Sequence, residues 1–213
     1  MSRPPTGARD RIVTATLTLL RQGGLSAAGL NDVVAQAQAP KGSLYHYFPA
    51  GKTQIVAAAL EVYRETVAAQ LSQALKGRAG LARRVTRLFE AVAQRMGDSR
   101  FGQSCAVGAV VLDLRPEDDE LRLLCDAALA HWADTVAEYL KELPAEQRAP
   151  AGRLLVSLLE GAQLAARAAG HARPLQEAAT AFVGYAKSLC LQPSVYEPAL
   201  TRNPRRGAAA RQE

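Results

Sequence analysis

Residues 39–52, APKGSLYHYFPAGK, gather two lysines, three aromatic rings and two glycines within fourteen positions of a chain that is only 5% aromatic. The chemistry these residue types allow is contact rather than bond-making. Lys41 and Lys52 supply positive charge, Ser43 and the phenols of Tyr45 and Tyr47 supply hydroxyl donors, and Gly42 and Gly51 let a backbone come close to another surface. No comparable cluster supports catalysis. His46, His131 and His171 stand far apart, and no HExxH, GxSxG or GxxxxGK[ST] pattern occurs. Adjacent carboxylates occur only in PEDDE, residues 116–120, where negative charge suits the start of a helix. Cys105, Cys125 and Cys190 are odd in number and widely spaced, with no CxxC pair, so each reads as a small buried hydrophobe. No enzyme, metal site or cofactor is expected.

The charge is unevenly placed. The chain of 213 residues carries a net +6. Residues 1–52 hold six basic against two acidic side chains, residues 193–213 hold four against two, and the stretch between is balanced. A basic end on a neutral body fits a polyanionic partner, with a merely solvated basic surface as the plain alternative. The opening MSRPPTGARD lacks an apolar core, and no uncharged apolar run approaches the ~18 residues of a membrane span. A reduced, cytoplasmic protein is expected.

The elements that would position the 39–52 cluster are helical. Thr6 offers an N-cap to a helix with Ile12, Ala15, Thr16, Leu19 and Leu20 on one face, ended by Gly23-Gly24. A second helix, about 30–37, turns Leu30, Val33, Val34 and Ala37 inward. Pro40 marks a turn, and a third helix runs from Lys41 to Phe48-Pro49, since the residue before a proline leaves helical geometry. Three short helices with a tight second connection make a helix-turn-helix arrangement, which periodicity alone does not tie to DNA. Leu44, Tyr47 and Phe48 are the candidates for holding the third helix on this bundle.

A long helix over 52–75 follows, with Ile55, Ala58, Ala59, Val62 and Leu71 inward. Further helices are expected at 80–96 and at 105–114, the latter apolar enough to be a strand instead. Another runs from Pro116 to Pro144, with Leu121, Leu124, Cys125, Ala128, Leu129, Trp132, Val136, Tyr139 and Leu140 on one face. The last two cover 145–169, broken or kinked near Pro150, and 174–190. Residues 192–213 read as a disordered basic tail. The expected fold is all-α, about nine helices, with a head at 1–51, a larger body at 52–191 and the tail.

Residues 29–60, GLNDVVAQAQAPKGSLYHYFPAGKTQIVAAAL, resemble the DNA-binding end of the TetR (tetracycline repressor) family, in which a helix-turn-helix precedes a Leu-Tyr-x-Tyr/His-Phe run and a lysine that opens the next helix. Here those positions are Ser43, Leu44, Tyr45, His46, Tyr47, Phe48 and Lys52. FPAGK and SCAVGAV, residues 104–110, are similar to the LmrA/YxaF-like subgroup. The resemblance implies that Lys41 and Gly42 touch base edges of double-stranded DNA, and that Tyr45, His46, Tyr47 and Lys52 touch its backbone. Ser43 and Tyr45 suit phosphate oxygens as donors. Where such proteins carry threonines at the start of the second helix, this chain has Ala28, Gly29 and Leu30, leaving Asn31 to take over part of that role and Ser26 as another donor.

The body is expected to carry a ligand pocket and a homodimer interface. The resemblance supplies the pocket, for which Phe89, Val92, Met96, Phe101, Cys105, Val110, Leu129 and Trp132 are the candidates; plain core is the alternative for each. His131 beside Trp132 is expected to be a partly exposed helix histidine rather than a ligand contact. Gly- and Ala-rich stretches in the last two helices point to a four-helix dimer interface with Leu158, Gly161, Ala165, Phe182 and Tyr185, or else to an internal face. The implied function is a transcriptional regulator, a repressor released from a palindromic operator by a small apolar or aromatic effector. A helical small-molecule binder without specific DNA binding is the rival reading.

Overall fold

The structure, a computed structural model, describes residues 7–191. Among them the chain forms α1 (Ala8–Ala27), α2 (Leu30–Ala37), α3 (Lys41–Tyr47), α4 (Lys52–Leu75), α5 (Leu81–Asp98), α6 (Ala106–Asp113), α7 (Asp119–Ala137), α8 (Ala145–Ala169) and α9 (Arg173–Leu191), with no strand. Thr6 and the 192–213 tail lie outside the described residues; Gly7 occupies the N-cap position of α1. The apolar 105–114 stretch is helix.

Regular helix in α1 stops at Gly23 and Gly24, and a short turn of helix continues beyond them to Ala27. Gly24 has φ +65°, and a Cβ there would run into the Asp113 carboxylate and the Ala109 carbonyl of α6, so the kink and the α1–α6 contact both require glycine. Gln38, in left-handed geometry, closes α2, and its N–H and that of Ala39 return to the carbonyls of Ala35 and Val34. Gly51, at φ +75°, opens α4, whose first turn is further tied by the Ala50 N–H donating to Gln54 Oε1 at 3.0 Å.

The body packs α4 on α7, α7 on α8, α8 on α9 and α5 on α9, while α1 lies against α2, α4 and α6. Ile12, Leu20, Leu44, Ile55, Leu60, Leu88, Phe89, Trp132, Leu155 and Phe182 are fully buried or nearly so. Four expectations about the helices change. Val62 is exposed rather than inward, because the buried stripe of α4 drifts through Val56, Leu60, Ala68 and Leu75. Helix α7 ends at Ala137, leaving Tyr139 and Leu140 in a connection held from outside: buried Arg84 of α5 donates to the carbonyl of Tyr139 (3.0 Å) and to Glu142 (2.5 Å). Pro150 lies inside one continuous α8. Cys190 is exposed, its thiol facing the Glu142 carbonyl at 3.6 Å, whereas Cys105 and Cys125 are buried.

Candidate nucleic-acid interface and ligand cavity

Two side chains hold α3 in place. Leu44 is 0% and Phe48 2% exposed, and the guanidinium of Arg9 lies over the Phe48 ring, 5.6 Å from its centroid. With that side fixed, helical geometry turns the rest outward. Lys41, Gly42 and His46 are exposed, Ser43 is half-buried, and Tyr45 and Tyr47 are 48% and 41% exposed. His46 and Tyr47 meet edge to face at 4.9 Å. Tyr47 therefore does not help hold α3 on the bundle; it stands on the surface with Tyr45. Among the described residues a Cβ on Gly42 would meet nothing within 4 Å, so their packing does not require a glycine there. The missing side chain leaves room for an external partner.

The basic residues of the head do two kinds of work. Lys41 points outward, but three others are engaged with distant carbonyls. Arg11 Nε donates to Ala37 O at the end of α2 (3.2 Å), Arg21 Nε to Ser104 O (3.3 Å), and Lys52 Nζ to Leu25 O (2.5 Å). Lys52, expected on the DNA backbone, is thus half-buried and fastens the start of α4 to the α1–α2 connection. At the start of α2, Asn31 is exposed, while the Asp32 carboxylate would lie 2.6 Å from a Cβ on Gly29. A negative group over that helix start opposes a phosphate there. The backbone N–H of Ser26 donates to Asp113 of α6 at 3.2 Å.

Between α1, α4, α5, α7 and α8 lies a cavity of about 260 Å³. Val92, Met96, Cys105 and Trp132 line it, as expected from the sequence. Phe89, Phe101, Val110 and Leu129 do not. On α5 the cavity side is Leu88, Val92, Arg95 and Met96, and Phe89 lies about 100° around the helix from Leu88. Val110 is sealed in the core, Phe101 is partly buried at the exit of α5, and Leu129 lines a more open groove of about 480 Å³ between α6 and α8. Trp132 donates its indole N–H to the Arg64 carbonyl at 2.9 Å and meets Tyr63 edge to face at 6.0 Å. His131 is on the surface, 3.8 Å from Glu65.

The charged and phenolic side chains of the cavity were not foreseen: Arg21 of α1, Tyr63 of α4, Arg95 of α5 and Glu160 of α8. Burial pushes the Glu160 carboxyl from 4.5 up to about 7. Burial likewise raises the Cys105 thiol, with Glu160 adding to the effect, and the Tyr63 phenol, with Cys105 adding. These three groups are protonated at neutral pH or close to it. Burial, reinforced by Arg21, lowers Arg95. The signal for Glu160 was present in the sequence: it continues the inward stripe Leu155, Val156, Leu159 that a charged residue rarely joins.

The last two helices present a pale outer face. Leu154, Gly161, Leu164, Ala165 and Gly184 are exposed, and Leu158 and Tyr185 half-buried. Cβ atoms on Gly161 and Gly184 would meet nothing within 4 Å. Phe182 is 0% exposed and so belongs to the chain's own core, packed 6.1 Å from Tyr185, rather than to an interface.

Comparison with known proteins matches residues 12–59 to the family model described as bacterial regulatory proteins, tetR family, and residues 82–181 to the LmrA/YxaF-like transcriptional regulator C-terminal domain. The chain is 31% identical over 176 residues to an uncharacterized HTH-type transcriptional regulator of Mycobacterium tuberculosis, spanning 79% of this chain and 89% of that one. It is 25% identical over 170 residues to the HTH-type transcriptional regulator LmrA of Bacillus subtilis, spanning 79% and 90%. Among solved structures, the regulatory protein TetR from Rhodobacter sphaeroides superposes with a TM-score of 0.76 at 26% identity, covering 82% of this chain and 96% of that one.

Proposed function

We propose that this chain, which belongs to the TetR family of DNA-binding transcriptional regulators and carries its LmrA/YxaF-like C-terminal domain, works in the cytoplasm as a dimeric repressor that a small effector releases from its operator. The observation that carries the reading is α3: Leu44 and Phe48 are buried while Lys41, Gly42, Tyr45, His46 and Tyr47 face outward together. Lys41 reads base edges, with Gly42 allowing the approach, and the hydroxyls of Ser43, Tyr45 and Tyr47 together with His46 bind phosphates. Asn31 adds a weaker contact beside Asp32. Lys52 supports the interface from behind through Leu25 rather than touching DNA itself.

A seven-residue recognition helix reads few base pairs, so two copies are needed. Regulators of this family act as dimers. In this chain the pairing face is the outer side of α8 and α9, where Leu158, Gly161, Ala165 and Tyr185 meet their symmetry mates and the open glycines let backbones approach. Residues 1–51 form the DNA head and residues 52–191 the effector and dimer body. The head is latched to the body by Asp113 on Ser26 and by Arg167 of α8, which donates to the carbonyls of Arg21 and Gln22. An effector that favours another packing of the cavity shifts these latches and the ~34 Å spacing of the two α3 helices. Moving the population from 1:99 to 99:1 needs about 5.5 kcal/mol of differential binding.

The test is a shift assay on the DNA upstream of the protein's own coding region against a scrambled duplex. The reading expects preference for the native fragment and, for about six neutralised phosphates, a log–log salt slope near −5. Equal affinity for both duplexes would refute it.

A further inference from the structure

Arg21 and Arg95 both line the cavity, one from α1 and one from α5, and among the described residues neither lies within 4 Å of a carboxylate. The Arg95 side chain makes no hydrogen bond within the described residues, and that of Arg21 only the 3.3 Å bond to the Ser104 carbonyl. Two guanidinium groups converging on an apolar cavity without an acid between them are unstable company unless an anion joins them. The one carboxyl among the cavity residues, Glu160, pairs with neither arginine and has Cys105, Gln163 and Gly108 around it. Tyr63 lines the same cavity. The apolar walls are Val67, Leu71, Val92, Met96 and Trp132. The cavity thus combines two cationic side chains with apolar walls and a group of protonated donors.

Resting on the effector reading above, we infer that the cavity takes a small organic monoanion: a carboxylate, or an acid of the same charge and shape, on a body of one or two rings. The anionic group sits between Arg21 and Arg95, and a hydroxyl or carbonyl at the other end of the molecule meets Tyr63, Cys105 and Glu160. Size sets the body. A dry cavity of about 150 Å³ admits benzene, so 260 Å³ holds a ring with a short charged arm. This adds a negative charge to the small apolar or aromatic effector expected from the sequence. It also names the first step of the signal. Arg21 belongs to the first helix of the DNA head, and its own carbonyl is held by Ser104 and Arg167. An anion that draws the Arg21 side chain away from Ser104 acts on the head directly, without travelling along α4.

Calorimetry on the full-length dimer without DNA tests this, using benzoate, phenylacetate and 1-naphthoate, each against its neutral primary amide. At least one acid binds about tenfold or more tighter than its amide, the ratio that one charge-assisted hydrogen bond gives. Arg95→Gln and Arg21→Gln each erase that preference while leaving the amide's affinity in place, and Arg21→Lys keeps part of it. Among the described residues the Arg95 side chain makes no hydrogen bond or ion pair, so its variant removes no internal contact and decides the matter even if Arg21→Gln loosens α1. Amides binding as tightly as acids, a preference that survives both glutamine variants, or no acid binding at all would overturn the inference. Because DNA is absent, failure of operator binding would sink the regulator reading and leave this result standing, and the reverse also holds.

Discussion

Glu160→Gln should change how the protein's stability depends on pH. The carboxyl, ordinarily near 4.5, is pushed by burial up to about 7. Between those values the folded chain keeps a proton that the unfolded chain has released. Stability is therefore greatest at the acid end and falls as pH rises through about 7. The full displacement amounts to about 3 kcal/mol per subunit, at about 1.4 kcal/mol for each pKa unit. Glutamine preserves the shape and still accepts the 3.3 Å hydrogen bond from Gln163 Nε2, but it cannot ionise. Cys105 and Tyr63, both raised further by burial, stay protonated throughout, so Glu160 is the group that titrates at this site. Urea unfolding of both proteins from pH 5 to pH 8, at one fixed protein concentration because a dimer's stability depends on it, reads the difference. The variant should be more stable at pH 8 by up to about 3 kcal/mol and within about 1 kcal/mol of the parent at pH 5. Parallel curves across that range would refute the buried, protonated Glu160.

Arg84→Met removes a buried guanidinium that donates to the carbonyls of Leu75 and Tyr139, both at 3.0 Å, and to Glu142; thermal unfolding should report a loss of about 3 kcal/mol. Gly161→Leu should stabilise a lone helix by about 0.5–1 kcal/mol, yet in sedimentation it should drive the dimer to monomer, because the proposed pairing brings the partner backbone against the open face at Gly161. Tyr45→Phe, which removes only an exposed hydroxyl, should weaken binding to every duplex alike by about 1 kcal/mol in a titrated shift assay.

Much of this was written locally in the chain. Pro40, Phe48-Pro49 and the buried Leu44 set the length and facing of α3 within a few residues, so the outward group at Lys41, Tyr45 and His46 could be read before any coordinates. Helices α4 and α8 likewise carry their own start and stop signals. What escaped was set by partners far away in sequence. Lys52 and Arg11 look like DNA charges until their carbonyls, 27 and 26 positions off, are known. Arg21 was counted with the head, but its bond to Ser104 spans 83 positions and places it on the cavity wall. The early end of α7 depends on Arg84 reaching Tyr139 from α5. Phe182 shows the limit of periodicity, since an apolar helix face does not say whether it meets its own core or another copy.

The central claim is that the outward side of α3 reads DNA sequence, and its most direct test is the affinity of the parent and Lys41→Ala for the operator and for duplexes altered one base pair at a time. The parent should lose about 1–3 kcal/mol at a few positions in each half-site, and Lys41→Ala should become indifferent at one of them. Unaltered discrimination by Lys41→Ala at every position would contradict the account.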